Sequence, residues 1–199
     1  MPSNACGPYK YEHDIICQLI ENGSKVLDLG CGEGDLLLRL QQEKDVQGVG
    51  VEVAEEKVYK CIGKGLSVHH GDIDEGLKDY PDKSFDYVIL SETLQEVRKP
   101  YLAIEEMLRV GKRGIISFPN FGYWKARWQL FAYGTAPITD SLPYEWFDGP
   151  NIQFFSIKDF RRFCELKKIK IVQSVYFNCG HKVSLLPNLL AQSALCVLE

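Results

Sequence analysis

No stretch of about 18 apolar residues occurs in the chain, so the pattern of a membrane-spanning helix is missing. Nor is there a surplus of positive charge. Against 23 Lys+Arg stand 27 Asp+Glu, a net charge of −4 that lacks the electrostatic footprint of a nucleic-acid binder. C-x-x-C pairs are absent too. The seven cysteines (Cys6, Cys17, Cys31, Cys61, Cys164, Cys179 and Cys196) are odd in number and scattered. The four histidines (His13, His69, His70 and His181) show no ligand spacing, and His69 and His70 point to opposite faces of a strand. Reduced thiols in a cytoplasmic protein and no bound metal are therefore expected. The apolar stretch from Ile15 to Ile20 is flanked by acids and lacks the basic flank of a secretion signal. Repeats, low-complexity tracts and flexible linkers are also lacking.

What is present is concentrated first in residues 25 to 35, Lys-Val-Leu-Asp-Leu-Gly-Cys-Gly-Glu-Gly-Asp. A buried-strand pattern (Val26, Leu27, Leu29) runs into Gly30, Gly32 and Gly34. Leu36, Leu37 and Leu40 then repeat at helical spacing. Glycines at such a turn let the backbone approach a ligand, whereas a turn alone needs only one. A dinucleotide site calls for G-x-G-x-x-G, with a pyrophosphate on the helix N-terminus. The spacing here is G-x-G-x-G, and Asp28 just ahead of it would repel a pyrophosphate while suiting a cationic ligand. A nicotinamide-dependent oxidoreductase is disfavoured on both counts. The stretch resembles the first motif of class I methyltransferases, which implies S-adenosylmethionine as cofactor.

Val49-Gly50-Val51 leads into Glu52, an acid at a strand end suited to ribose hydroxyls. A third strand ends in Gly71-Asp72-Ile73. In the class I family an acid there meets the adenine amino group, which makes Asp72 the candidate, with Ile73 against the ring. Cys31 in the turn, Val53 after Glu52 and Ser91 after the fourth strand complete the cofactor-binding set, alongside Asp28, Gly30, Gly32, Gly34, Glu52, Asp72 and Ile73.

Strands are expected at 25–29, 47–52, 66–70, 85–90, 113–118, 170–177 and 193–198, with a leading helix from Tyr11 to Ile20 and helices between strands. This alternation predicts a single α/β domain over residues 1–199. Its architecture is a three-layer Rossmann-like class I methyltransferase sheet of seven strands, mostly parallel with an antiparallel last strand. Ser156-Ile157-Lys158-Asp159 has the form of a capping box, with Phe155 and Phe160 as its hydrophobic staple.

An aromatic-rich insert at about 120–150 interrupts the alternation and holds all three tryptophans, Trp124, Trp128 and Trp146. Trp124, Trp128 and Phe131 share one helical face, which either packs on the sheet or forms a lid or docking surface. Lys125 and Arg127 are too few to favour nucleic acid.

Methyl transfer from a sulfonium requires chiefly that nucleophile, methyl and sulfur be held in line. The fourth and fifth strands end in Ser91-Glu92-Thr93-Leu94-Gln95-Glu96 and Phe118-Pro119-Asn120-Phe121. An N-P-P-Y motif after the fourth strand is absent, and Pro119-Asn120-Phe121 is a partial echo after the wrong one. Glu92 and Glu96 fall where acids favour a helix start, so capping is the expected role and the catalytic residues stay unassigned.

Seven stretches together resemble the methionine biosynthesis protein MetW family, over residues from about Lys25 to Val172. They are Leu27-Asp28-Leu29-Gly30-Cys31-Gly32, Gly71-Asp72-Ile73-Asp74, Ser84-Phe85-Asp86-Tyr87-Val88 and Ser91-Glu92-Thr93-Leu94-Gln95, followed by Met107-Leu108-Arg109-Val110-Gly111, Ser117-Phe118-Pro119-Asn120-Phe121-Gly122 and Leu142-Pro143-Tyr144-Glu145-Trp146-Phe147-Asp148. The chain departs from the family pattern at Gly149, where threonine is expected, and at Gln153, where histidine is expected. No catalytic role is carried over to residue 153. The resemblance implies a methyltransferase fold associated with homoserine O-acyltransferase. Two functions compete: a methyltransferase acting on a small molecule, and an S-adenosylmethionine-sensing partner that controls homoserine acylation.

Overall fold

The computed structural model describes residues 8–199, and Cys6 lies outside them. In chain order the elements are α1 (Pro8–Leu19), β1 (Lys25–Leu29), α2 (Asp35–Lys44), β2 (Gln47–Glu52), α3 (Glu55–Gly63), β3 (Ser67–His70), β4 (Phe85–Leu90), α4 (Pro100–Val110), β5 (Gly111–Pro119), α5 (Trp124–Tyr133), α6 (Ile157–Lys167), β6 (Ile171–Asn178), β7 (His181–Lys182), α7 (Pro187–Leu190) and β8 (Ser193–Leu198). They form one sheet of order β3-β2-β1-β4-β5-β8-β6-β7. Strands β1 to β5 pair in parallel, and β8 runs antiparallel between β5 and β6.

The expected architecture is the one found, with one correction: eight strands, not seven. The additional strand, β7, is a two-residue partner of β6 through Phe177–Lys182 and Asn178–His181. Two residues are too few for alternation to register in a sequence.

Alternation along the strands divides the core between the two faces of the sheet. Leu27, Leu29, Val88, Leu90, Ile116 and Phe118 face α4 and α6. Val26, Tyr87, Ile89 and Ile115 face α1, and Ile16 of that helix and Ile20 just past its end are fully buried against them. Local signals fix the helix ends. Pro100 opens α4, and at α6 the capping box is complete, with Ser156 and Asp159 each satisfying the other's backbone N–H. Phe155 and Phe160 lie against Phe118 with ring centroids 4.9 and 4.7 Å away. No helix among the described residues is long and apolar enough to cross a membrane.

Asn120 anchors the start of the insert. It is fully buried, its amide nitrogen donates to the carbonyls of Asn188 and Ala191, and its oxygen accepts from Gly122 and Ile157 N–H. All its hydrogen-bonding capacity is used in holding the chain, so the Pro-Asn-Phe echo is structural.

Candidate functional site

The turn after β1 is shaped by its glycines. Gly30, Gly32 and Gly34 have φ of 75°, 58° and 81°. Gly30 and Cys31 N–H both donate to Val51 O, at 2.8 and 3.1 Å, which locks the turn to the end of β2. A Cβ on Gly34 would run into Leu66 Cδ1 and crowd Cys61 Sγ, so this glycine serves packing. A Cβ on Gly32 would enter open space.

Beside the turn lies a cavity of about 320 Å³ at the carboxyl ends of β1, β2, β3 and β4. Gly30, Glu52, Val53, Asp72, Ile73 and Ser91 border it; Asp28, Cys31, Gly32 and Gly34 stand outside the lining. Glu52 is buried and braces the turn: its carboxylate accepts from Gly32 and Ala54 N–H, both at 2.9 Å. Each carboxylate oxygen retains a second lone pair. Asp72 accepts from Asp74 N–H at 2.8 Å and caps a short 3₁₀ turn, Ile73–Glu75. The Cys31 sulfur packs against Gly50 and away from the cavity. Burial, helped by Asp28 and Cys61, pushes its thiol up, so it is inert as a nucleophile.

Strand alternation explains the floor of the site. Asp28, Ser91 and Ser117 continue the α1-facing rows of β1, β4 and β5. Glu12 reaches them from α1, only 1% exposed, and accepts hydrogen bonds from the hydroxyls of both serines. Ser117 Oγ in turn accepts from Glu92 N–H at 2.9 Å. Asp28 is only 2% exposed; burial raises its carboxyl to about 7, with help from the neighbouring charges of Glu12 and Glu52. Burial likewise raises Glu12, against the pull of Ser117 and Ser91. It raises Glu92 well above the carboxylate range, with Glu12 and Glu96 adding to the effect. Sequence reasoning missed Glu12, although the signal was there: residues 12, 16 and 20 share one helical stripe, so this acid sits in the row of Ile16 and Ile20.

The helix-start reading of Glu92 is overturned. Glu92 precedes the 3₁₀ turn Leu94–Glu96, sits in left-handed backbone with φ 47°, and borders the cavity. Glu96 ends that same turn and also borders the cavity, where Lys57 partly offsets the rise that burial imposes on it. The lining thus carries Glu52, Asp72, Asp74 and Glu96, with the proton-retaining carboxyl of Glu92 beside them, against Lys57 alone. Such a field favours a cation and opposes an anion.

A second cavity, of about 510 Å³, lies within the insert between Phe121, Leu130, Leu142, Tyr144, Trp146 and Phe154. The α5 face expected either to pack or to dock is solvent-facing: Trp124, Trp128 and Phe131 are exposed, and only Ala126 of that helix is buried.

The sheet, the glycine turn and the acids after β2 and β3 define the fold class of S-adenosylmethionine-dependent methyltransferases. Solved enzymes of that class superpose on nearly the whole chain. The one from Mesorhizobium loti gives a TM-score of 0.69 at 17% identity, covering 94% of this chain and 97% of that one. The one from Archaeoglobus fulgidus gives 0.67 at 17% identity, covering 94% and 93%. Within the class, the family model of methionine biosynthesis protein MetW matches residues 10–198, and the chain belongs to that family. It is 36% identical over 176 residues to the bifunctional methionine biosynthesis protein MetXA/MetW of Rhodopirellula baltica, spanning 84% of this chain but only 28% of that protein. It is also 28% identical over 167 residues to demethylmenaquinone methyltransferase of Staphylococcus aureus, spanning 73% of this chain and 68% of that enzyme.

Proposed function

We propose that this protein works in the cytoplasm, binds S-adenosylmethionine in the cleft beside β1, β2 and β4, and acts with or regulates a homoserine O-acyltransferase. The observation that carries the cofactor reading is the pairing of an open glycine turn with a carboxylate-lined cavity. The Cβ position of Gly32 is empty, Glu52 is fixed by two N–H groups, and five acids face one lysine. These residues fit a ligand bearing a ribose, a flat base and two cationic centres. When bound, the cofactor supplies a methyl group on a positively charged sulfur. The chain's own part is to hold it. Glu52 would accept from the ribose hydroxyls, Val53 and Ile73 would flank the base, and Asp72 would accept from its amino group. Asp28 and Glu12 behind the cleft, with Glu92 on its border, would offset positive charge once ionised.

The partner reading rests on the family and on the relative that carries MetXA and MetW in one bifunctional protein. The exposed aromatic face of the insert is the surface offered to that partner, because clustered aromatics supply much of an interface's energy. A second reading, methyl transfer to a small molecule, draws support from Glu92, a carboxyl in left-handed backbone at the end of β4 that borders the cleft.

Calorimetric titration with S-adenosylmethionine and S-adenosylhomocysteine tests the cofactor assignment. Wild type should bind both. Glu52→Ala should weaken them by about 1–3 kcal/mol through lost charge-assisted hydrogen bonds, and Gly32→Val should abolish binding. Equal affinity for NAD would refute the assignment.

A further inference from the structure

We propose that the insert cavity seats an aromatic or aliphatic side chain of the partner protein, and that residues 151–154 tie that seat to the cofactor cleft so that each occupant affects the other. This deepens the docking reading above and rests on it.

The occupant follows from the surface around the cavity. Its walls are apolar, with Glu145 the lone charge among them. Trp146 is 81% exposed and Phe131, on the adjoining helix, 85%. Outside the lining, the exposed rings of Trp128 and Phe147 lie beside Phe131 and Trp146, at centroid distances of 6.2 and 5.7 Å. A small molecule would fill the cavity and leave that surrounding surface wet. A protein that inserts one anchoring side chain and covers the rim accounts for both.

The tie follows from hydrogen bonds. Asn151 and Phe154 border the insert cavity; Glu92, Thr93, Glu96 and Val97 border the cofactor cleft. Between them lies Gln95. Its backbone carbonyl accepts from both Ile152 and Gln153 N–H at 2.9 Å, and its side-chain nitrogen donates to Glu92 O at 2.6 Å. Gln153 Nε2 adds a long bond to Val97 O at 3.4 Å. Gln95 is only 4% exposed, and its side-chain oxygen has no hydrogen-bond partner. A buried acceptor without a donor is costly, and Glu92 next to it holds left-handed backbone. The connecting loop therefore carries two local costs that a shifted arrangement would relieve. A ligand in either cavity that prefers one arrangement changes affinity at the other.

All three tryptophans lie in the insert and none borders the cofactor cleft, so their fluorescence reports on the tie. Full-length protein is titrated with S-adenosylhomocysteine, with calorimetry and tryptophan emission read in parallel. Retention of the homoserine O-acyltransferase from the same organism is measured with and without that ligand. The expected result is an emission change on binding and an about tenfold effect of ligand on retention. Trp146→Ala should weaken retention at least ~30-fold. Gln153→Pro, which removes one of the two N–H donors, should keep cofactor affinity within about threefold while erasing the emission change and the ligand's effect on retention. If that variant melts early, Gln153→Ala, which removes only the side-chain bond to Val97, should reduce both effects. Ligand binding with unmoved emission and ligand-independent retention overturns the tie and leaves docking intact. Retention unaffected by Trp146→Ala overturns the seat. No retention under any condition overturns the docking reading and this inference with it, whereas no binding of S-adenosylhomocysteine overturns the cofactor reading.

Discussion

Asp28 is held where an ionised carboxylate is unfavourable: buried on β1, beside Glu12 of α1 and Glu52 at the end of β2. Its folded pKa of about 7 lies above the ordinary carboxylate value, so the folded state binds this proton more tightly than the unfolded chain does. The resulting stabilisation is complete below the unfolded pKa and is lost as pH rises through 7. The raised carboxyls of Glu12 and Glu92 act in the same sense. Wild type should melt at lower temperature at pH 8 than at pH 5.5. Asp28→Asn, which cannot ionise, should recover part of the difference, on the order of a few kcal/mol. Cofactor affinity should move oppositely: ionised Asp28 attracts a cation, so wild type should bind S-adenosylmethionine more tightly as pH rises through 7, and Asp28→Asn should show a weaker dependence. Melting and titration across that range check both signs.

Elements with local signatures were the most legible. The cap of α6 is written in four consecutive residues, and Ser156 and Asp159 pair as that pattern dictates. Ser156→Ala should lower stability by about 1 kcal/mol, measurable by denaturant unfolding, without touching the cofactor cleft. The geometry of the glycine turn and of the acids at β2 and β3 was legible for the same reason, since Gly30, Glu52 and Asp72 each lie at or just beyond a strand end and border one cavity. Glu92 was misread because a local rule about acids at helix starts cannot detect a left-handed residue ahead of the turn. Glu12 went unnoticed because its role depends on α1 crossing the ends of β4 and β5, a contact spanning 79 and 105 positions in the chain. The insert cavity was equally hidden. Much of its wall comes from irregular backbone around residues 136–154, which has no period to read.

For the molecule as a whole, the apolar surface is unevenly spread. Both faces of the sheet are closed by α1, α4 and α6, while α5 and the chain after it leave Trp124, Trp128, Phe131, Tyr133, Trp146 and Phe147 exposed. Side chains so exposed add little to folding stability, and their clustering in one segment points to a role outside the monomer. Trp128 separates the alternatives because it is 55% exposed, with its ring centroid 6.2 Å from that of the exposed Phe131. If α5 served the core, Trp128→Ala would cost about 3–5 kcal/mol of stability. From its exposure the expected loss is below about 1 kcal/mol. The variant should melt close to wild type and titrate S-adenosylhomocysteine with unchanged affinity, yet retain the acyltransferase poorly. A steep fall in melting temperature would return α5 to the core, and full retention by a well-folded variant would move the docking surface off this helix.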